Sequence, residues 1–113
     1  MSDRLTSQML VGALIRGAQG RGGGAMVLHK GEATSGTIMI QLLDRGRNLG
    51  FFERMTTLNG TVQLTPCGPR DTDQDTENSQ YIERRVAVDP DIWVIELDVA
   101  GGEQLAAELL GAG

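Results

Sequence analysis

The sequence predicts an α+β fold, a mainly antiparallel sheet of about five strands with two or three helices packed on it, and three observations predict it. Short runs rich in Val, Ile, Leu and Met recur between glycine-bounded breaks, as strands do. An Asn59-Gly60 pair separates two of these runs, and both residues tolerate the positive φ of a tight hairpin. Other stretches carry apolar side chains at the i, i+3, i+4 spacing of a helix face. A chain of 113 residues is close to the usual size of one domain, so residues 1–113 are read as a single unit. Its 40% hydrophobic content is enough for a core without disulfide or metal staples.

Taken in order, Leu5 to Ala18 places Leu10, Val11, Leu14, Ile15 and Ala18 on one helical face. Alternation of Met9, Val11, Ala13 and Ile15 also fits a strand. The glycines at 17, 20, 22, 23 and 24 end the element in either case, and a helix stopping near Gln19 is the better fit. Ala25 to Lys30 and Thr37 to Leu43 read as antiparallel strands joined by the glycine-bounded loop 31–36. Leu49 to Thr56 and Thr61 to Thr65 flank the Asn-Gly turn, which makes a four-stranded meander. Residues 67–78 are polar and are expected to form a mobile loop. Glu77 to Val88 pairs Tyr81 with Arg85 and Ile82 with Val86 at i+4, with carboxylates at the favourable N-terminal end. Pro90 stops that helix. Ile92 to Val99 opens with four apolar residues in succession, the pattern of a strand buried on both faces near the middle of the sheet. Glu103 to Leu110, closed by Gly111, is a short apolar helix.

Charge is distributed unevenly. Residues 1–70 hold eight basic and four acidic residues, residues 71–113 two and eleven, and no basic residue follows Arg85. The acidic third would repel a phosphate backbone, so nucleic acid is not an expected partner. The plainest reason for the asymmetry is attraction between the two halves within one fold. Residues 1–5 do not begin a secretion signal, no apolar run reaches the about 18 residues of a membrane span, and the single thiol, Cys67, cannot form an internal disulfide. A cytoplasmic protein without membrane contact is expected.

Motifs that suggest chemistry fail on context. Gly20-Arg21-Gly22-Gly23-Gly24-Ala25 has the spacing of a dinucleotide turn, but it follows a helix and precedes a strand, the reverse of what a phosphate cradle needs. Asp71, Asp73, Asp75 and Glu77 begin like a calcium loop. Thr76 then stands where the turn requires glycine, and Ile82 where a glutamate would close the site. His29 and Cys67 are alone in their types, so no zinc site forms within one chain. His29 is expected in mid-strand on the face shared with Val27, away from Cys67. No metal and no cofactor is expected. The most structured polar motif is Asp89-Pro90-Asp91, ahead of Ile92-Trp93. Its simple reading is a turn in which both carboxylates satisfy free amides. Its functional reading is a ligand pocket at the sheet end, shared with Arg84, Arg85 or Arg45. Asp44, Arg47, Glu53 and Arg54 are read as ordinary surface charges.

Four of these features resemble the small bacterial proteins known as domain of unknown function 1491, over roughly Leu5 to Val99. They are the "ALIR" helix with its glycine-ended turn, the loop "KGEATSG" ahead of "TIMIQL", the Asn-Gly hairpin, and "DPDIWVIELD". The resemblance implies a shared fold and a bacterial cytoplasmic setting. None of these motifs is catalytic, and the resemblance carries over no site residue.

The function predicted is therefore a small binding or interaction module with an unidentified protein or small-molecule partner. The alternative is a small hydrolase or transferase working through Asp89, Asp91 and an arginine. A homodimer is expected on the premise that Leu49 to Thr56 is an edge strand. Phe51 and Phe52 then point to opposite faces, and only one can enter the core.

Overall fold

The structure, a computed structural model, describes residues 5–69 and 74–111. Helix α1 (Ser7–Gly20) is capped by Thr6, whose hydroxyl accepts the Met9 amide at 3.2 Å. It resolves the helix-or-strand ambiguity, with Leu10, Val11, Leu14 and Ala18 buried along one stripe. Strands β1 (Gly24–His29), β2 (Ile38–Asp44), β3 (Arg47–Thr56) and β4 (Val62–Cys67) follow, then α2 (Asp75–Val88), β5 (Trp93–Asp98) and α3 (Gly102–Ala106). A π-helical stretch, Ala107–Gly111, continues α3. Among the described residues no helix is long and apolar enough to cross a membrane.

The five strands form one sheet in the order β1-β5-β2-β3-β4, antiparallel except for the parallel pair β2 and β5. The expected consecutive meander holds for β2, β3 and β4 but not for β1, because β5 inserts between β1 and β2. The apolar run Ile92 to Ile95 explains this. It is buried on both faces and needs a strand on each side, and residues 30–37 are long enough to step over two strand spacings of about 4.8 Å. The central position expected for β5 is what the sheet shows.

The expected edge is corrected too. β3 pairs with both β2 and β4 and is interior. Phe51 is fully buried beneath Tyr81, with ring centroids 5.0 Å apart, and Phe52 packs half-buried against the main core on the opposite face. Neither phenylalanine needs another chain. Two expected boundaries also shift. Gly46 and Arg45, at φ 84° and 54°, make a two-residue turn that brings β3 forward to Arg47, and α2 opens at Asp75, shortening the expected loop 67–78. Residues 70–73 of that loop lie outside the described residues.

Helices cover the two faces unequally. On one face α1, α3 and its π-helical continuation bury Ile38, Ile40, Leu42, Trp93, Ile95 and Leu97 in the main core. On the other, α2 alone covers a small core of Met39, Phe51, Ile92 and Val94, reached by Tyr81, Ile82 and Val86.

Candidate functional site

The motifs richest in sequence signal meet at the start of β5. The Trp93 indole N–H donates to the Glu32 carbonyl at 2.8 Å, and the Trp93 amide donates to the Thr37 carbonyl at 2.7 Å. The Glu32 amide donates to the Asp91 carbonyl, and the Glu32 carboxylate accepts the amides of Thr34 and Ser35. Those bonds, the Thr34 amide first, hold the Glu32 carboxyl below its ordinary value. Ser7 donates its hydroxyl to the Gly36 carbonyl, and His29 Nδ1 lies 2.7 Å from the Ile92 carbonyl. A Cβ on Gly36 would collide with the Asp91 carbonyl, which is why the loop needs glycine there. The loop "KGEATSG" is therefore a knot tying α1, β1, β2 and β5 together.

Asp89 and Asp91 belong to the same knot. The Asp89 carboxylate accepts the Asp91 amide at 3.1 Å and the Asp89 carbonyl accepts the Ile92 amide, closing a turn between α2 and β5. Arg84 and Arg85 lie one turn back on α2, over the Tyr81 ring. Arg85 pairs with Glu53 and bonds the Tyr81 hydroxyl at 2.7 Å. Burial works against its charge, but the bonds to Glu53 and Tyr81 outweigh this and raise its pKa. Burial, then the neighbouring Cys67, push the Tyr81 phenol up. Arg45 sits at the other end of β5, where the Asp98 carboxylate accepts the amides of Arg45 and Gly46 at 2.9 and 3.0 Å. The five candidate residues thus divide into a turn, two arginines over the Tyr81 ring of which Arg85 is ion-paired, and a distant hairpin tip. His29 and Cys67 stand on opposite edge strands, four strand spacings or about 19 Å apart. A bulge after Val27 turns His29 to the face of Val94, not that of Val27.

Two concave surfaces lie elsewhere. A cleft of about 810 Å³ between α2 and the sheet contains Arg45 together with Gln41, Asn48 and Glu96. A groove of about 630 Å³ runs between α1 and β1, lined by Leu5, Met9, Ile15, Val27 and Trp93, with Arg16 its only charged group among the described residues. Neither contains Asp89 or Asp91. Sequence reasoning passed over both, although each left a trace: the uncharged run Gly22 to Leu28, and a glutamine inside the apolar strand "IMIQLL". Among the described residues, no group of three or more His, Cys, Asp or Glu side chains could hold a metal.

Comparison with known proteins matches residues 5–107 to the family described as protein of unknown function (DUF1491). A crystal structure of a DUF1491 family protein from Caulobacter crescentus CB15 is similar, with 30% identity and a TM-score of 0.78 over 90% of this chain and 94% of that one. An NMR structure of a DUF1491 family protein from the same organism gives 30% identity and 0.73 over 89% and 91%. The solution structure of protein Atu0922 from A. tumefaciens gives 27% and 0.66 over 85% and 86%. No curated protein matches the chain. These relatives indicate no specific function.

Proposed function

The chain belongs to the DUF1491 family, a family of unknown function, and with that as the premise we propose that it is a small cytoplasmic binding module that works as a homodimer, paired through the edge strand β1. The observation that carries this reading is the bareness of that edge. Met26, Val27 and Leu28 are 58%, 38% and 37% exposed, and Leu5 and Met9 of α1, beside the same groove, are each 53% exposed. No charged residue or proline interrupts residues 22–28, so the strand lacks the guards that keep edges apart. Contiguous apolar groups of this kind mark an interaction surface.

A second copy is the occupant that suits this edge. Antiparallel pairing about a two-fold axis near Val27 joins the patch to itself, as an isologous interface requires. It sets Val27 beside its own copy, on the face of Ile95. On the other face of the strand Met26 meets Leu28. The half-buried free thiol of Cys67 fits a reducing compartment. The acidic C-terminal third argues against a nucleic-acid partner. The enzyme alternative required Asp89 and Asp91 to share a pocket with an arginine, and neither lines either concave surface, while the Asp89 carboxylate is taken up by the turn at the start of β5.

Static light scattering tests the proposal. At tens of micromolar the protein should scatter as twice its 12.1 kDa chain mass, and Met26→Lys should halve that mass while keeping the folded circular dichroism. A wild-type mass of one chain would overturn it.

A further inference from the structure

The sheet face beneath α2 changes character along its length, and the helix above changes with it. On β2 the residue facing α2 passes from Met39 to Gln41, and on the paired positions of β5 from Val94 to Glu96. On β3 it passes from Phe51 to Asn48 beyond an irregularity at Gly50. The inward stripe of α2 runs the same way. Ile82 and Val86 meet the apolar core, while Asp75, Asn78 and Ser79, one and two turns earlier, line the cleft of about 810 Å³. Floor and roof therefore gain polar groups over the same stretch, among Leu28, Leu43 and Ile82, which also line the cleft. Gln41, Asn48 and Asn78 are only 7%, 4% and 5% exposed. Gln41 Nε2 donates to Asn48 Oδ1 at 3.2 Å, and the same oxygen accepts the Gly50 amide at 3.1 Å, so these amides are held in place. Polar side chains sunk where the sheet pattern calls for apolar ones are a departure that folding alone does not require.

Among the described residues the charges of the cleft balance. Arg45 and Arg47 come from the β2–β3 turn, Asp75 from the first turn of α2 and Glu96 from β5. Among the described residues no ion pair within 4.0 Å joins these four. A net anion would meet two carboxylates here, a net cation two guanidinium groups. A small zwitterion can satisfy both signs and present an amide or short polar chain to Gln41, Asn48 and Asn78. The volume lies in the usual range for small-molecule sites, about 300–1,000 Å³. We propose that this cleft binds a small zwitterionic molecule of the α-amino acid type, its carboxylate held by Arg45 and its ammonium by Glu96 or Asp75. This site is on the opposite face from the α1 groove and does not depend on dimerisation.

The test is a two-dimensional amide NMR titration of the full chain with the free amino acids, using glutamine, N-acetylglutamine and glutamine amide as a matched charge series. At least one amino acid should give saturable shifts centred on Gln41, Asn48 and Ser79. Blocking either of that amino acid's charges should weaken binding about tenfold or more, the loss of one charge-assisted bond. Gln41→Leu and, at the exposed turn, Arg45→Asn should each lower affinity by a similar factor. Should Gln41→Leu fail to fold, Arg45→Asn decides. Absence of saturable shifts with every amino acid, equal binding of a blocked form, or full affinity in the folded variants would overturn the proposal.

Discussion

The two edges of the sheet are built differently. β4 carries Pro66, which cannot donate to another strand, and the π-helical stretch Ala107–Gly111 lies along it. Arg54 on β3 secures that stretch by donating to the Leu110 carbonyl at 2.9 Å. Among the described residues β1 has no proline and no charge before His29, and although α1 packs against it, its apolar side chains reach solvent. One edge is closed within the chain and the other is open. Because unpaired backbone and exposed apolar groups together favour strand addition, the difference is what supports the proposed pairing of two copies at β1.

The largest effect should come from removing what holds β1 in register. Among the described residues β1 pairs only with β5, and β5 is anchored by Trp93, which is 3% exposed and tied to the Glu32 carbonyl. Trp93→Ala should cost about 3–5 kcal/mol by urea titration. A loss below about 1 kcal/mol would show that the β5 start is not the anchor. The guarded edge offers the next test. Arg54→Ala removes a charged hydrogen bond and should cost about 1.5 kcal/mol, while proteolysis near Ala107 to Gly111 becomes faster. Unchanged cleavage there would mean that the terminal turns are held by packing alone.

Smaller still is the contribution of the loop through which the chain leaves β1. Glu32 has a folded pKa below its ordinary value of 4.5, because its carboxylate accepts the Thr34 and Ser35 amides. A lowered carboxyl pKa stabilises the fold above the unfolded value, and the benefit disappears as pH falls through the folded one. Glu32→Gln should therefore lower Tm at neutral pH, and the gap from wild type should close as pH drops below 4.5. A gap independent of pH would assign the effect to shape instead of charge. Met26→Lys should change monomer stability least, by no more than about 0.5 kcal/mol, since the side chain is exposed.

These contrasts also explain what the sequence could reveal. The helix stripe Leu10, Val11, Leu14 and Ala18, the Asn59-Gly60 hairpin and the buried start of β5 are local patterns, and each appears in the fold, although only Gly60 of the hairpin pair takes a positive φ. The strand order is not local. Nothing between Lys30 and Thr37 says that the chain steps over a strand that arrives only at Trp93, so the sequence alone pairs β1 with β2 and leaves β3 as an edge. The homodimer expected from Phe51 and Phe52 loses that basis and finds a different one at β1. The candidate site divides in the same way. Asp89-Pro90-Asp91 and "KGEATSG" stood out because turns and close approaches demand particular residues, and they bond mainly to one another. Arg45, Gln41, Asn48 and Glu96 come from three strands and a turn and form a cleft only after folding.

The open edge is tested most directly by amide hydrogen exchange measured against protein concentration. If β1 pairs with a second copy, its outward amides between Gly24 and His29 should become more protected as concentration rises from nanomolar to high micromolar. The Val62–Cys67 strand, already closed by its own chain, should exchange at a constant rate. Exchange in β1 that is equally fast at every concentration would contradict the account.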